Sequence, residues 1–416
     1  NNVTFAKAKV VDDATNSGSN TYNIEDTAVN LVTGIGSSLA PINGAGTVTA
    51  SNAANANQAN TISGISKAIV YSLTDTAANV VGANAGARNE AVDIESSDSC
   101  TFAQAKVIDD ATNTGNNTYD ISDTATALAA GVATSSNAIS GAQTVKADTY
   151  ATVAQATTIS SLAKAVTYSI KDTSANLAGA GGNSLSEAVI IYFSDQANTT
   201  QFDTIDAATT GTLVLLQGIG DDVLNYSDAT GNATTALTNL NTEDPDCVVT
   251  VDNVANVAQF DVINTKTTSD VVLAGGISDV VAKFADANGT ATASLTAMTT
   301  QDPDVAITIT DAANVAQATT IANATTGTVV FTGGITDDLA NLASGGSVTA
   351  GTTTIVTHDP DVLITINGTL GGADVANINA ITAATTGKVD ASVTGNQAQL
   401  VSLTSPNTTD DLTIVV

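Results

Sequence analysis

The stretch Phe5-Ala6-Lys7-Ala8-Lys9-Val10-Val11-Asp12-Asp13-Ala14-Thr15-Asn16 returns as Phe102-Ala103-Gln104-Ala105-Lys106-Val107-Ile108-Asp109-Asp110-Ala111-Thr112-Asn113, an offset of 97 in a chain of 416 residues. Self-similarity at a fixed period signals a repeat architecture. Working outward, Tyr22-Asn23-Ile24-Glu25-Asp26-Thr27-Ala28 matches Tyr71-Ser72-Leu73-Thr74-Asp75-Thr76-Ala77 at an offset of 49, and the motif recurs from Tyr119 and from Tyr168. The first half is therefore two copies of a unit that is itself doubled. A longer repeat fills the second half. Asp244-Pro245-Asp246 recurs at Asp302-Pro303-Asp304 and Asp359-Pro360-Asp361, and Gly218-Ile219, Gly276-Ile277 and Gly334-Ile335 are each 58 apart. A Gln-x-x-x-Ile signature joins both halves, at Gln58/Ile62, Gln155/Ile159, Gln201/Ile205, Gln259/Ile263 and Gln317/Ile321.

Short runs rich in Val, Ile, Thr and Tyr read as strands. Sixteen are centred from Tyr22 to Ile414, at a mean spacing of about 26 residues. Segments such as Ala154–Ile159 and Thr173–Ala178 have the apolar spacing of one or two helical turns. This rhythm, close to leucine-rich-repeat spacing, predicts a repeat solenoid: a parallel β-solenoid with short helices or turns in each of about 16 rungs. The expected form is an elongated rod of roughly 75 Å. The array divides into residues 1–194, built of the 97-residue repeats, and residues 195–416, built continuously of the 58-residue repeats. Extra segments at Asn225–Thr242, Asp286–Gln301 and Ala340–His358 read as loops projecting from one face.

Composition narrows the function. The formal net charge is −30, with only 12% of residues charged. Nucleic acid and anionic membrane surfaces are poor partners for such a chain, because both are bound by clustered Lys and Arg. No run of about 18 apolar residues exists, so no membrane insertion is expected. The chain starts at Asn1 without a signal peptide, which reads as a removed leader or as a piece of something longer. Aromatic residues are 3% and Trp is absent, so the core is built from small and β-branched side chains.

The phrases Ile170-Lys171-Asp172-Thr173-Ser174-Ala175-Asn176-Leu177-Ala178 and Val153-Ala154-Gln155-Ala156-Thr157-Thr158-Ile159 resemble the repeats of very long secreted bacterial cell-surface proteins. These are S-layer-like and giant adhesin-like chains common in marine cyanobacteria. The resemblance covers almost the whole chain through short, low-complexity motifs. It implies secretion, an extracellular or cell-surface location, and often calcium. The glycine-rich nonapeptide of calcium-binding rolls does not occur here.

An enzyme is not expected. The single Arg88 and single His358 offer no triad, and acids that recur in register behave as structural positions, whereas an active site appears once. Asp26, Asp75, Asp123 and Asp172 each precede Thr at an expected helix start, where N-capping is the simplest role. The better calcium candidates are Asp221, Asp222, Asp337 and Asp338 together with the pairs Asp244/Asp246, Asp302/Asp304 and Asp359/Asp361, because calcium takes six to eight oxygen ligands. Asp-Pro-Asp is also a good turn. Tyr22, Tyr71, Tyr119 and Tyr168 share a face with Ile24, Leu73, Ile121 and Ile170 and read as core residues with the hydroxyl at an edge. Cys100 and Cys247, five rungs apart, are expected not to pair, since a disulfide needs Cα atoms within about 7 Å.

No capping repeat is evident at either end, which reads either as a fragment of a longer array or as end-to-end stacking of copies into an open filament. The function expected first is an extracellular structural protein, a self-assembling subunit of a filament, sheath or surface layer. The alternative is an adhesin or fibre module whose Thr/Asn-rich loops bind cell-surface glycans.

Overall fold

The computed structural model describes residues 1–181, 183–405 and 407–416. The chain forms two compact units, one of Asn1–Tyr192 with Ile205–Thr212 and one of Phe193–Thr204 with Leu213–Val416. The expectation of a single parallel β-solenoid rod is overturned. Among the described residues the fold is α/β, with 21 α-helices and many short parallel-strand sheets, and helix accounts for 39% of it. That helical share rules out rungs closed by simple turns. The reason lies in the segments between strands. They open with a capping residue, and several extend to helices of eight to ten residues such as Ala28–Ser37, Phe102–Asp109 and Val315–Ala324, while Val153–Ile159 and Ser174–Ala178 keep the one or two turns expected of them.

The sheets have two to four strands each. In the first unit, Leu73–Asp75 pairs in parallel with Ile94–Ser96, which pairs with Asn117–Thr118. The chain then bends at Tyr119 and continues as Ile121–Asp123, which pairs with Val145–Ala147 in a different sheet. The same change of sheet occurs at Tyr71, between the Val70 bridge and Leu73–Asp75, and at Tyr168, between the Thr167 bridge and Ile170–Asp172. Each bend divides what would be one long ladder into small sheets. The inward ladder position is aliphatic and buried at Ile24, Val48, Leu73, Ile94, Ile121 and Val145.

The tyrosine at each bend is buried and its hydroxyl is satisfied. Tyr119 donates to Ala138 O at 2.9 Å and Asp109 Oδ1 at 3.0 Å, and Tyr22 makes the matching bonds to Pro41 O and Asp12 Oδ1, both at 2.9 Å. Tyr71 donates to Ala87 O and Tyr168 to Ser184 O. The Phe5 and Phe102 rings lie where a Cβ on Gly34 or Gly131 would come within 2.6 Å. A glycine in each helix thus admits the ring that begins the repeat.

The second unit carries the 58-residue repeat. Ile277–Asp279 pairs with Ile307–Ile309 and that with Val329–Phe331, all parallel and in the same register as Ile219–Asp221, Val249–Val251 and Val271–Val272. A four-stranded sheet closes the series: Ile335–Asp338, Ile364–Gly371, Val389–Thr394 and Asp411–Val415. Glycine makes the bends here. Gly218, Gly276 and Gly334 have φ of 71°, 75° and 75°, a left-handed conformation that costs other residues a Cβ clash.

The three extra segments are not plain loops. Each holds a tight antiparallel turn followed by a helix. The turns are closed by Ser227↔Ala233, by Ala285↔Ala291 and by the pair Ala343–Ser344 with Ser347–Val348. The helices are Thr235–Glu243, Ala293–Gln301 and Ala350–His358. Thr234, Thr292 and Thr349 accept from the third helical N–H of these helices, which is why Thr-rich sequence folds rather than dangling.

Candidate functional site

The acids that recur in the sequence recur in one geometry. Seven aspartates stand at strand ends, and each Oδ2 accepts the first N–H of a helix 19 to 22 residues earlier in the chain. The pairs are Asp26 with Phe5, Asp75 with Ala56, Asp123 with Phe102, Asp172 with Val153, Asp221 with Thr199, Asp279 with Val257 and Asp337 with Val315. The other oxygen accepts the next residue's N–H and, at five of them, the side-chain amide of the Asn four residues on, as Asp75 does with Thr76 and Asn79. A carboxylate against a helix N-terminus satisfies an orphan donor and meets the positive end of the helix dipole.

This corrects the capping role read from the sequence. The cap of the helix that follows each first-half aspartate is the next residue: Thr27, Thr76, Thr124 and Thr173 accept from Asn30, Asn79, Ala127 and Asn176 N–H. The aspartate fastens a different helix to the strand. Burial raises the carboxyls of Asp26, Asp75 and Asp172, but the hydrogen bonds from the Asn amide and two backbone N–H groups outweigh it, and the net shift is downward. The Gln signature also has a structural use. Gln58, Gln155, Gln259 and Gln317 sit at the third helical position and close capping boxes with Asn55, Thr152, Asn256 and Asn314. The spacing Asn/Thr-x-x-Gln was the available signal for this.

The calcium candidates separate into three groups. Asp221 and Asp337 are strand-end fasteners, as above. Asp222 caps Val223–Tyr226 by accepting from Leu224 N–H at 2.9 Å, and its second oxygen accepts from Asn253. Asp338 is exposed and precedes Leu339–Leu342. The Asp-Pro-Asp pairs form the third group. Asp244, Asp302 and Asp359 are buried and accept strand N–H groups from Leu215 at 2.6 Å, Leu273 at 2.7 Å and Phe331 at 2.7 Å. Their partners Asp246, Asp304 and Asp361 are exposed.

Burial pushes the Asp244 carboxyl up to about 6, against the opposing pull of the Leu215 N–H, and the adjacent Asp246 pushes the same way. Asp302 and Asp359 are raised by the same causes. The buried carboxyl of each pair therefore binds a proton more readily than an ordinary carboxylate. Among the described residues, no three His, Cys, Asp or Glu side chains gather where they could hold a metal ion. The ten candidate carboxylates are therefore brought together only in twos.

Arg88 lies in the helix Ala85–Glu90 and donates to the carbonyls of Val80, Val81 and Ala83 at the end of the preceding helix. His358 ends the helix Ala350–His358. Cys100 and Cys247 are buried free thiols, and burial pushes the Cys247 thiol up to about 12. Among the described residues, no helix is long and apolar enough to cross a membrane.

One place departs from the repeating scheme, and the sequence reading missed it. A cleft of about 680 Å³ in the first unit is lined by Lys146, Asp148, Thr149, Tyr150, Ser169 and Val189. Tyr150 is 53% exposed and its ring lies 4.8 Å from that of Tyr192, tilted by 55°. The Tyr150 hydroxyl beside it raises the Tyr192 phenol above its ordinary value.

No protein-family model, no curated protein and no solved structure matches the chain.

Proposed function

We propose that the chain is a structural protein of the cell surface, a repeat scaffold that self-associates into a filament, sheath or surface layer. The observation that carries this reading is the strand-end carboxylate against a helix N-terminus, repeated at Asp26, Asp75, Asp123, Asp172, Asp221, Asp279 and Asp337. Acids used seven times in the same way serve the framework.

The charge of −30 opposes close approach of copies, so divalent cations belong to the proposal as counterions that relieve it. Calcium is expected to promote assembly. Sedimentation velocity over a concentration series tests this. Large species that grow with protein and calcium concentration are expected, and a monomer that persists at every concentration with and without calcium would overturn the reading.

A further inference from the structure

We propose that the cleft beside Tyr150 and Tyr192 is a carbohydrate-binding site that takes a neutral oligosaccharide. The first ground is that it breaks the repeat. The paired strands place Tyr150 at the position held by Ala53, Ser99, Gln196, Val254 and Ala312 in the other repeats, each directly before the residue that bridges to the next sheet. Lys146 stands where Thr49, Glu95, Thr250 and Thr308 stand. Both positions vary from repeat to repeat and are not framework positions, and only here do they carry an aromatic ring and a cation.

The second ground is exposure. The sequence holds seven Tyr and seven Phe, and among the described residues Tyr150 is the only exposed aromatic side chain. Its contact with Tyr192 makes a fixed aromatic platform at low entropic cost, an arrangement suited to the apolar C–H face of a sugar ring. The third ground is the rim. Lys146 and Asp148 are exposed and, among the described residues, neither forms an ion pair. A cation, a carboxylate and the Ser169 hydroxyl around an aromatic face supply the donors and acceptors that sugar hydroxyls need.

The net charge selects among sugars. At −30 the protein repels sulfated and uronic-acid chains, which leaves neutral saccharides. The cleft volume suits two or three sugar rings. This inference does not rest on assembly, because the cleft lies within the first unit.

The test is calorimetric titration of the full chain with a panel of neutral hexasaccharides: β-1,4-, β-1,3- and α-1,4-linked glucose, β-1,4-linked mannose and β-1,4-linked N-acetylglucosamine. At least one is expected to bind. Tyr150→Ala is expected to weaken it about tenfold, while Tyr150→Phe keeps most of the affinity. Thermal melting of each variant checks the fold. Lys146→Ala, at an exposed position, supplies the same reading should Tyr150→Ala melt early, and is expected to weaken binding several-fold. The proposal is overturned if no hexasaccharide binds at millimolar concentration, or if binding survives both Tyr150→Ala and Lys146→Ala unchanged.

Discussion

The two units solve one problem with different chemistry. In each, a strand must leave one small sheet and enter the next. The first unit does this with a buried tyrosine, whose ring fills the bend and whose hydroxyl ties it to carbonyls such as Pro41 O and Ala138 O. The second unit does it with a left-handed glycine, Gly218, Gly276 or Gly334. An Asp-Pro-Asp carboxyl then secures the strand just before the bend, at Leu215, Leu273 and Phe331. One bend is held by packing plus a hydroxyl, the other by backbone freedom plus a buried carboxyl that accepts a backbone N–H. The comparison teaches that the repeat length follows the corner: the glycine corner comes with the inserted turn and helix that supply its Asp-Pro-Asp.

The largest effect is expected from removing the tyrosine plug. Tyr119→Ala leaves a large void in the first unit and is expected to cost about 3–5 kcal/mol, as aromatic-to-alanine changes in cores do. Hydrogen exchange resolved by peptide checks this, with lost protection across residues 102–147 and little change beyond residue 213. A smaller loss is expected from Gly276→Val. A β-branched residue must adopt φ of 75°, and its Cβ would meet Ala306 O at 2.8 Å, for about 2–3 kcal/mol. Here the exchange should rise across residues 270–310 and spare the first unit. Equal responses of both units to both substitutions would break the comparison.

Acidity separates the two corners further. The Asp244 carboxyl is raised in the fold, from an ordinary 3.8 to about 6, and Asp302 and Asp359 are raised with it. A raised folded value means that the native state binds the proton more tightly. This contribution is full below the unfolded value and is lost as pH rises through the folded one. The carboxyls of Asp26, Asp75 and Asp172 are lowered, so their contribution is present above the unfolded value and lost as pH falls through the folded one. Taking the protein from pH 7 to about 4.5 is therefore expected to raise the stability of the second unit, read as exchange protection across its core strands, while leaving the first unit level. Further acidification is expected to loosen the first unit, and the second at Asp221, whose carboxyl is lowered as well. Asp302→Asn and Asp359→Asn together should shrink the gain of the second unit.

The smallest effect is expected from Tyr119→Phe, which keeps the ring and removes only the hydroxyl. It leaves the Ala138 carbonyl without this donor and should cost about 1 kcal/mol, read as a shift of the denaturant midpoint.

Much of this was legible in the sequence, and the losses have identifiable causes. The recurrence of Tyr22, Tyr71, Tyr119 and Tyr168, and of the Gly-Ile and Asp-Pro-Asp motifs, marked the two repeats and the change between them, and the tyrosines read as core residues; that they sit at bends was not legible. Runs of Val, Ile and Thr located strands such as Val145–Ala147, Val249–Val251 and Ile307–Ile309, but the short strands after the bends, Ile219–Asp221, Ile277–Asp279 and Ile335–Asp338, were not among the sixteen expected. The single solenoid did not survive, because the reading counted strands and gave the segments between them only a turn or two. Thr and Asn caps carry several of those segments to eight or ten residues, as in Ala28–Ser37 and Val315–Ala324, while Val153–Ile159 and Ser174–Ala178 stay at one or two turns, and the bends at Tyr119 or Gly276 cut the ladder into short sheets. The Asp-Thr pairs misled at the level of a single residue: Thr27 caps the local helix, while Asp26 reaches a helix 21 residues back. Such a long-range bond leaves no local spacing to read. Tyr150 escaped notice for the opposite reason, since a search for repeats passes over the residue that does not recur.

The central claim is that this acidic, internally fastened repeat is built to assemble. Electron microscopy of the purified chain, concentrated in calcium-containing buffer, tests it most directly. The account predicts ordered polymers or sheets that disperse on adding a chelator. Uniform single particles at every protein and calcium concentration would contradict it.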